Sequence, residues 1–296
     1  MATVSTDRPL LGAIEAGGTK FVLATGTADG VIVSRHTIPT ADPVSTMAAA
    51  SDWFDAQPAI AALGIASFGP VELDRRAPLW GHILETPKPG WSNCDLAGHF
   101  MSDLGVPVGF DTDVNGAALG EFHLGAGRGT SGMAYVTVGT GIGGGVIVNG
   151  QIVHGAGHPE MGHIYPRRAA DDHEFAGACP FHGDCLEGLS SGPAILSRWG
   201  KTLSDLPAEH EAHCRVAGYL AQLCHTLFAS LAVERVILGG GVMKTPGLLA
   251  RIQEATMNAG ANYLPGRSRQ SVVMPKLGEN AGITGAFLLA EEARSI

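Results

Sequence analysis

The sequence predicts an α/β fold made of two mixed-sheet lobes. A chain of 296 residues is too long for one small core and suits two compact lobes. Residues 11–24 and 134–148 share one design, in which an apolar strand, a glycine turn and a second apolar strand follow one another. Strands and helices alternate after each hairpin, so we expect a duplicated chain with lobes at 1–116 plus 278–296 and at 117–277. A cleft between such lobes is the expected ligand site.

The remaining elements follow from hydrophobic periodicity. Short apolar runs bounded by turn residues predict strands, and apolar residues three and four positions apart predict helices. The helix at 210–232 carries its apolar side chains at this spacing, which is typical of a core face: Val216, Leu220, Leu223, Leu227 and Leu231. The other predicted elements are strands at 31–35, 61–66, 106–110, 151–153, 235–238 and 272–274, and helices at 44–56, 115–122, 191–200, 246–260 and 281–292.

Composition excludes several classes of protein. With 45% apolar and 16% charged residues, the whole chain is expected to fold. The net charge of −9 argues against a nucleic-acid surface, which needs clustered lysine and arginine. No apolar run approaches the length of about 18 residues that a membrane span needs. Residues 1–9 lack a signal-peptide core, and five cysteines, an odd number, indicate reduced thiols and a cytoplasmic location.

The first glycine turn, Gly17-Gly18-Thr19, has the geometry of an anion site. A turn this short directs its amide groups outward, and glycine lets a polyphosphate approach the backbone closely. A tight hairpin with no ligand is the alternative interpretation of this turn and of the next one.

The second glycine turn, at residues 139–145, fits the pattern G-x-G-x-x-G. A dinucleotide-binding fold would require a helix directly after it, whereas here a further strand leads to Asn149-Gly150, a strong hairpin signal. We therefore interpret it as a second phosphate-binding hairpin. The cluster Gly239-Gly240-Gly241 is either a plain connection between strand and helix or a further nucleotide contact.

A metal site is predicted by the spacing C-x2-H-x2-C of Cys179, His182 and Cys185. Two thiolates and two imidazoles complete a tetrahedral zinc shell with no open position, so the zinc would be structural and would order the loop at 157–190. His163 is the candidate fourth ligand. Its competitors by sequence are His154, His158 and His173.

Two further features have open interpretations. Asp113 follows the predicted strand at 106–110 and precedes a predicted helix, a position where α/β proteins hold ligands and where an aspartate can also cap the helix. The loop at 85–91 ends in Trp91, whose ring could floor a ligand site or cover a core edge.

These residues resemble the ROK family of sugar kinases and regulators, members of the actin-like ATPase superfamily, and within it the bacterial fructokinase branch. The resemblance covers nearly the whole chain. Its most specific part is Gly162-His163 with the segment Cys-Pro-Phe-His-Gly-Asp-Cys-Leu-Glu at 179–187, which is similar to the family's zinc signature. The branch is indicated by His182, where most members have a more cysteine-rich loop, and by Glu15, where the superfamily usually has aspartate.

The resemblance implies two actin-like (RNase H-like) lobes and an ATP-dependent kinase that uses ATP, Mg²⁺ and Zn²⁺ and forms a homodimer. Its expected reaction converts D-fructose to fructose 6-phosphate. The alternatives are a kinase for mannose, glucose or N-acetylmannosamine, or a sugar-binding ROK regulator. Such regulators carry a DNA-reading domain, for which the roughly ten residues before the first strand leave no room.

The resemblance also implies roles for individual residues. Asp113 would be the catalytic base, and His163 would serve both zinc and sugar. Further sugar-binding residues would be Glu160, Glu187 and Asn115. The implied ATP-binding residues are Glu15, Gly17, Gly18, Thr19, Lys20, Gly139, Thr140, Gly141, Gly143, Gly239, Gly240 and Gly241.

Overall fold

The computed structural model describes residues 9–295, which form two compact units. The first unit contains the described residues up to Gly125, the short segment His154–His158 and the chain from Glu279 onward. The second unit contains Ala126–Val153 and Pro159–Gly278. Residues 1–8, which belong to the segment without a signal-peptide core, lie outside the described residues. Within the described chain no helix has both the length and the apolar character needed to cross a membrane.

The strands and helices follow one another as the duplicated pattern predicts. The strands are β1 (Leu11–Ala16), β2 (Lys20–Gly26), β3 (Ile32–Pro39), β4 (Leu63–Ser67), β5 (His82–Ile83), β6 (Cys94–Asp95), β7 (Val108–Thr112), β8 (Gly132–Val138), β9 (Ile142–Val148), β10 (Gln151–Ile152), β11 (Arg235–Gly239) and β12 (Ser271–Val273). The helices are α1 (Pro43–Asp55), α2 (Leu96–Leu104), α3 (Asp113–Leu124), α4 (Leu186–Ser190), α5 (Gly192–Trp199), α6 (Glu211–Leu231), α7 (Leu248–Gly260) and α8 (Ala281–Arg294).

Two five-stranded mixed sheets share one topology. Their strand orders are β3-β2-β1-β4-β7 and β10-β9-β8-β11-β12. In each sheet the first three strands are antiparallel neighbours and the last two join in parallel. The predicted α/β fold with two mixed sheets is therefore confirmed, and the two glycine turns occupy equivalent positions, between β1 and β2 and between β8 and β9.

The first unit has apolar side chains on both faces of its sheet. Ile14 and Phe21 face one cluster, while Leu11 and Ala13, one residue out of phase, face another that includes Phe287 of α8. Trp91 is fully buried, with its ring centroid 5.5 Å from those of Phe21 and Phe68. This ring covers the core edge, so the interpretation of an open ligand floor is wrong.

Glycine contacts bring α3 and α8 together inside the first unit. A Cβ added at Gly285 would lie 1.7 Å from the carbonyl oxygen of Gly116, and one at Gly120 would lie 2.5 Å from that of Ala281. Such an approach of two backbones requires residues without side chains. The first unit consequently keeps α3 whole and extends through Gly125, beyond the predicted lobe boundary at 116.

The second unit has its core between its sheet and α6 and α7. The predicted apolar face of α6 is buried at Val216, Leu220, Leu223 and Leu227. Leu231, at the last position of the helix, is 38% exposed and does not belong to this core.

A buried carboxylate organises the inserted loop between β10 and α6. The side chain of Asp172 has no exposed surface; it pairs with Arg198 and accepts a hydrogen bond from the Tyr219 hydroxyl. Arg168 and Arg215 each lie 3.6 Å from it. Burial acts to raise the pKa of Asp172, but the hydrogen bonds from Arg198 and Tyr219 outweigh it, and the pKa is lowered.

Replacing Asp172 should destabilise the protein strongly. In Asp172→Asn the partly buried Arg198 loses the carboxylate that pairs with it, and breaking a buried ion pair on one side typically costs about 3–5 kcal/mol. The free energy of unfolding, measured by denaturant titration with circular dichroism, tests this. Asp171→Asn is the matched control, because Asp171 also pairs with Arg215 but its side chain is 78% exposed. Equal stability of both variants would contradict the role of Asp172.

Candidate active site

The first glycine turn is braced by Thr40. The Gly17 amide donates to the carbonyl oxygen of Lys20 at 3.0 Å, which closes the hairpin. The Thr40 hydroxyl donates to the Gly17 carbonyl oxygen at 2.7 Å, and the Thr40 amide donates to that of Thr19 at 3.0 Å. A Cβ added at Gly18 would meet no atom within 4 Å. The turn is thus held from one side and open at Gly18.

The loop at 85–91 holds the segment around Thr40 in place. The sequence did not predict this contact. The Lys88 ammonium donates to the Thr40 carbonyl oxygen at 3.0 Å. The Trp91 indole donates to the Ala41 carbonyl oxygen at 2.8 Å. A buried aromatic ring and a lysine therefore position the segment that holds the first glycine turn.

Glu15 lies near the end of β1, with its carboxyl group beside the start of α8. A Cβ added at Gly282 would lie 2.6 Å from its carboxyl carbon. Burial raises the pKa of Glu15, against the opposing effect of Arg35 and Lys20. A cation near this carboxyl group would favour its ionised form.

One backbone contact and one side-chain contact hold the second glycine turn. The Gly192 amide, at the first residue of α5, donates to the Gly139 carbonyl oxygen at 2.8 Å. Glu187 of α4 accepts a hydrogen bond from the Ile142 amide at 2.9 Å. A Cβ added at Gly141 would lie 2.7 Å from the same carboxylate oxygen. The turn is therefore packed against α4 and α5.

A cavity of about 610 Å³ joins the second glycine turn to the third glycine cluster. It is lined by residues that include Gly139, Thr140, Pro193, Gly241 and Thr245. Its volume lies within the range of small-molecule sites.

Gly240 shows why the chain needs glycine beside this cavity. Its φ is +92°, and an added Cβ would lie 2.4 Å from the Val138 carbonyl oxygen. No other residue type fits without moving the end of β8.

The junction of β7 and α3 positions Asp113. Asp113 is the first residue of the helix, and the cap is Thr112, whose hydroxyl accepts a hydrogen bond from the Asn115 amide at 3.0 Å. The Asp113 carboxylate accepts one from the Val114 amide at 2.8 Å and is partly exposed. Thr112, and not Asp113, is therefore the N-cap of α3.

A buried polar network lies directly beneath this junction. Asp111 accepts hydrogen bonds from the Thr112 amide at 2.7 Å and from the Asn115 side-chain amide at 2.6 Å. His154 Nε2 lies 3.0 Å from the second oxygen of Asp111. The hydrogen bond with Asp111 raises the pKa of His154, although burial opposes this. Asn115 is fully buried, so its amide is engaged inside the first unit.

Four predicted metal ligands converge in the second unit. His163, Cys179, His182 and Cys185 offer ligand atoms that all lie within 4.8 Å of one another. The two His Nδ1 atoms are 3.2 Å apart, and the distances from His163 Nδ1 to the Cys185 and Cys179 sulfurs are 3.6 and 3.9 Å. A tetrahedral zinc ion with bonds of about 2.0–2.3 Å requires ligand spacings of about 3.3–3.8 Å. The cluster has the size and donor set of a zinc site.

The competing histidines lie elsewhere. His154 contacts Asp111, and His158 Nε2 accepts a hydrogen bond from the Val71 amide at 3.3 Å, both within the first unit. His173 is exposed and does not belong to the cluster. His163 is therefore the histidine that the fold brings to Cys179 and its neighbours.

The cluster also positions two predicted sugar-binding glutamates. Cys185 is the N-cap of α4, its sulfur accepting a hydrogen bond from the Gly188 amide at 3.5 Å, and Glu187 lies in the same short helix. On the other side, the His163 amide donates to the Glu160 carbonyl oxygen at 3.0 Å. Glu160 and Glu187 are thus each tied to a residue of the cluster.

Comparison with known proteins identifies the family. The ROK family model matches residues 11–293. The chain is 46% identical to a fructokinase of Zymomonas mobilis, with 99% of this chain and 100% of that protein covered. It is 43% identical to a fructokinase of Pediococcus pentosaceus, at 96% and 98% coverage. The ROK hexokinase of Thermus thermophilus superposes with a TM-score of 0.79 at 25% identity, covering 96% of this chain and 98% of that one. The chain belongs to the ROK family.

The stability that His154 contributes should fall as the pH rises. The raised pKa of His154 means that its stabilisation is fully present below the ordinary value of 6.5 and is lost as pH rises through the folded-state pKa. The difference in melting temperature between wild type and His154→Gln should therefore be larger near pH 6 than near pH 9. Burial lowers the pKa of His123, so the comparison with His123→Gln should show the opposite trend. A His154 difference that grows with pH would contradict the pairing with Asp111.

Proposed function

We propose that this protein is a cytoplasmic ATP-dependent hexose kinase that converts D-fructose to fructose 6-phosphate. The observation that carries the proposal is the similarity over almost the whole chain to fructokinases, at 46% and 43% identity. The geometry of both glycine turns, of Asp113 and of the cysteine and histidine cluster supports it. The competing acceptors are glucose, mannose and N-acetylmannosamine.

In this proposal ATP binds at the three glycine clusters. The open backbone at Gly18 suits close approach of a phosphate, because amide groups unobstructed by a Cβ bind anions. The cavity beside the second glycine turn has room for the adenosine, with Gly241 in its wall. Lys20, Thr140, Gly143 and the other ATP-binding residues predicted from the sequence stand in or directly beside these clusters.

Asp113 is the proposed catalytic base. At the first position of α3 its carboxylate is partly exposed, so it can accept the proton of the acceptor hydroxyl. Phosphoryl transfer needs little covalent chemistry from the protein and depends on aligning this hydroxyl with the γ-phosphate. Bound Mg²⁺ would neutralise charge on the phosphates, with Glu15 as the nearby carboxylate. Glu160, His163 and Glu187 are the proposed contacts to sugar hydroxyls.

A structural zinc ion completes the proposal. The spacing of the four ligand atoms fits a tetrahedral ion, and four protein ligands leave no position for catalysis. Burial raises the pKa of the Cys185 thiol to about 11, so a cation is needed to hold it as a thiolate at neutral pH. Bound zinc would supply folding energy to the loop that carries Glu160 and Glu187.

An ADP-release assay with MgATP and a panel of hexoses tests the function. D-Fructose should give the highest kcat/KM, and glucose, mannose and N-acetylmannosamine should give lower values. Release of ADP without dependence on any hexose would overturn the kinase assignment. A clear preference for another hexose would overturn the choice of fructose.

Asp113→Asn should abolish most turnover. General base catalysis typically contributes about 10²- to 10⁴-fold, so kcat should fall by that factor while the KM for hexose and ATP changes little. The carboxylate of Asp103, in the same unit and exposed on α2, provides the control Asp103→Asn, which should keep wild-type kcat. Near-normal turnover of Asp113→Asn would remove the base assignment.

The substitution Gly18→Val should weaken ATP binding and leave the fold intact. An added side chain there meets open space, so it would block the approach of a phosphate and leave the hairpin intact. The KM for ATP should rise by about tenfold or more, the loss of roughly 1.4 kcal/mol of binding energy. Gly218→Val on α6, where an added Cβ also meets nothing within 4 Å, is the control. An unchanged KM for ATP in Gly18→Val would contradict the phosphate role of the first turn.

Metal analysis of the purified protein should find one zinc ion per chain. Cys179→Ser removes a buried ligand and should lose zinc and lower the melting temperature. Cys214→Ser is the matched control, because Cys214 is an exposed thiol outside the cluster and should leave the zinc content unchanged. Absence of zinc from wild type, measured by mass spectrometry, would defeat the assignment.

A further inference from the structure

His154 belongs to a short segment that leaves the second unit and joins the first. Residues His154–His158 are part of the first unit, although the chain on either side belongs to the second. Both ends of this segment are attached through histidine side chains, His154 to Asp111 and His158 to the Val71 amide. The attachment at His154 reaches the junction that carries Asp113.

Asp111 is a buried carboxylate whose two oxygens have different partners. One oxygen accepts from the Thr112 amide and the Asn115 side chain, both on the α3 side of the junction. The other oxygen lies 3.0 Å from His154 Nε2. The Asp111 side chain is 3% exposed and that of His154 is 40% exposed, so solvent reaches the imidazole far more than the carboxylate. Burying a carboxylate is costly unless it is paired, and His154 provides a hydrogen-bonding partner that is cationic when it is protonated.

The network limits the freedom of the backbone that leads into Asp113. Asp111 binds the amide of Thr112, and Thr112 in turn caps α3 through the Asn115 amide. Asn115 returns to Asp111 through its side chain, which closes a ring of hydrogen bonds around residues 111–115. A rotation of the Asp111 carboxylate would break two of these bonds and let the first turn of α3 shift. His154, which is not part of this ring, contacts the other oxygen of Asp111 and so restricts the rotation of the carboxylate.

We propose that His154 is a positioning residue for Asp113: by holding Asp111 it sets the direction of the base without touching the substrate. The inference rests on the proposed function, since it concerns the base of that reaction. The charged groups that act on His154 are Asp111 from β7 and Glu292 from α8, and both favour its protonated form. The Asn115 amide, 3.3 Å from Nε2, is the neutral neighbour on α3.

Two substitutions separate positioning from simple packing. His154→Leu keeps a side chain of similar volume but has no donor for Asp111, whereas the N–H groups of His154→Gln can replace that of Nε2. His154→Leu should lower kcat about 10- to 100-fold, because a small misplacement of a reacting group has effects of this size, and should leave the KM for hexose and ATP within about twofold. His154→Gln should restore kcat to within about threefold of wild type.

His82→Leu is the matched control. His82 is another histidine of the first unit that faces an aspartate, Asp95 on β6, at 3.7 Å, and its ring also lies 3.5 Å from the Trp80 carbonyl oxygen. This variant should keep wild-type kcat. Thermal unfolding of each variant establishes that it is folded, and if His154→Leu is not, His154→Asn replaces it, since the shorter amide places its N–H too far back to reach Asp111.

The outcomes distinguish the inference from the function on which it rests. A wild-type kcat for a folded His154→Leu, or an equal loss in His154→Leu and His154→Gln, would overturn the positioning role and leave the kinase assignment intact. A rise in the KM for hexose with kcat unchanged would also overturn it, because that pattern indicates binding. A wild-type protein without hexose-dependent ADP release would overturn both.

Discussion

The second glycine turn depends on a continuous set of contacts that begins at the cysteine and histidine cluster. Cys185 caps α4, Glu187 in that helix accepts from the Ile142 amide, and the first residue of α5 donates to Gly139. A shift of the loop at 157–190 would therefore move α4 and release the turn. Within this loop Met161, Leu186 and Leu189 join the core of the second unit, and the buried Asp172 pairs with Arg198.

The two sheets hold their glycine turns with different contacts. Each sheet has a glycine turn between two antiparallel strands, and neighbouring residues restrict the movement of each turn. In the first unit rigidity comes from Thr40, supported by Lys88 and the buried Trp91. In the second unit it comes from α4 and α5. The two sheets thus share one strand order, but different residues hold the glycine turn in each.

The sequence predicted most of the fold, since strand and helix periodicity, glycine turns and the spacing of Cys179, His182 and Cys185 are local signals. It did not predict α2 and α4, short helices that depend on the caps Asp95 and Cys185. It also missed the Asp172 cluster and the contact between Asp111 and His154. These pairs join residues far apart in the chain, and single charged residues carry no periodic signal that would identify their partners. Sequence alone left open which histidine joins Cys179, His182 and Cys185, whereas the fold brings His163 to them and places His154 and His158 in the other unit.

We propose, as the central claim, that both glycine turns bind phosphates of ATP and that Asp113 accepts the proton of the sugar hydroxyl. A crystal structure with a non-hydrolysable ATP analogue and D-fructose tests it most directly. The account predicts phosphate oxygens within hydrogen-bonding distance of the amides of both glycine turns, and a fructose hydroxyl within about 3 Å of the Asp113 carboxylate. Phosphates bound away from both turns, or a sugar bound away from Asp113, would contradict it.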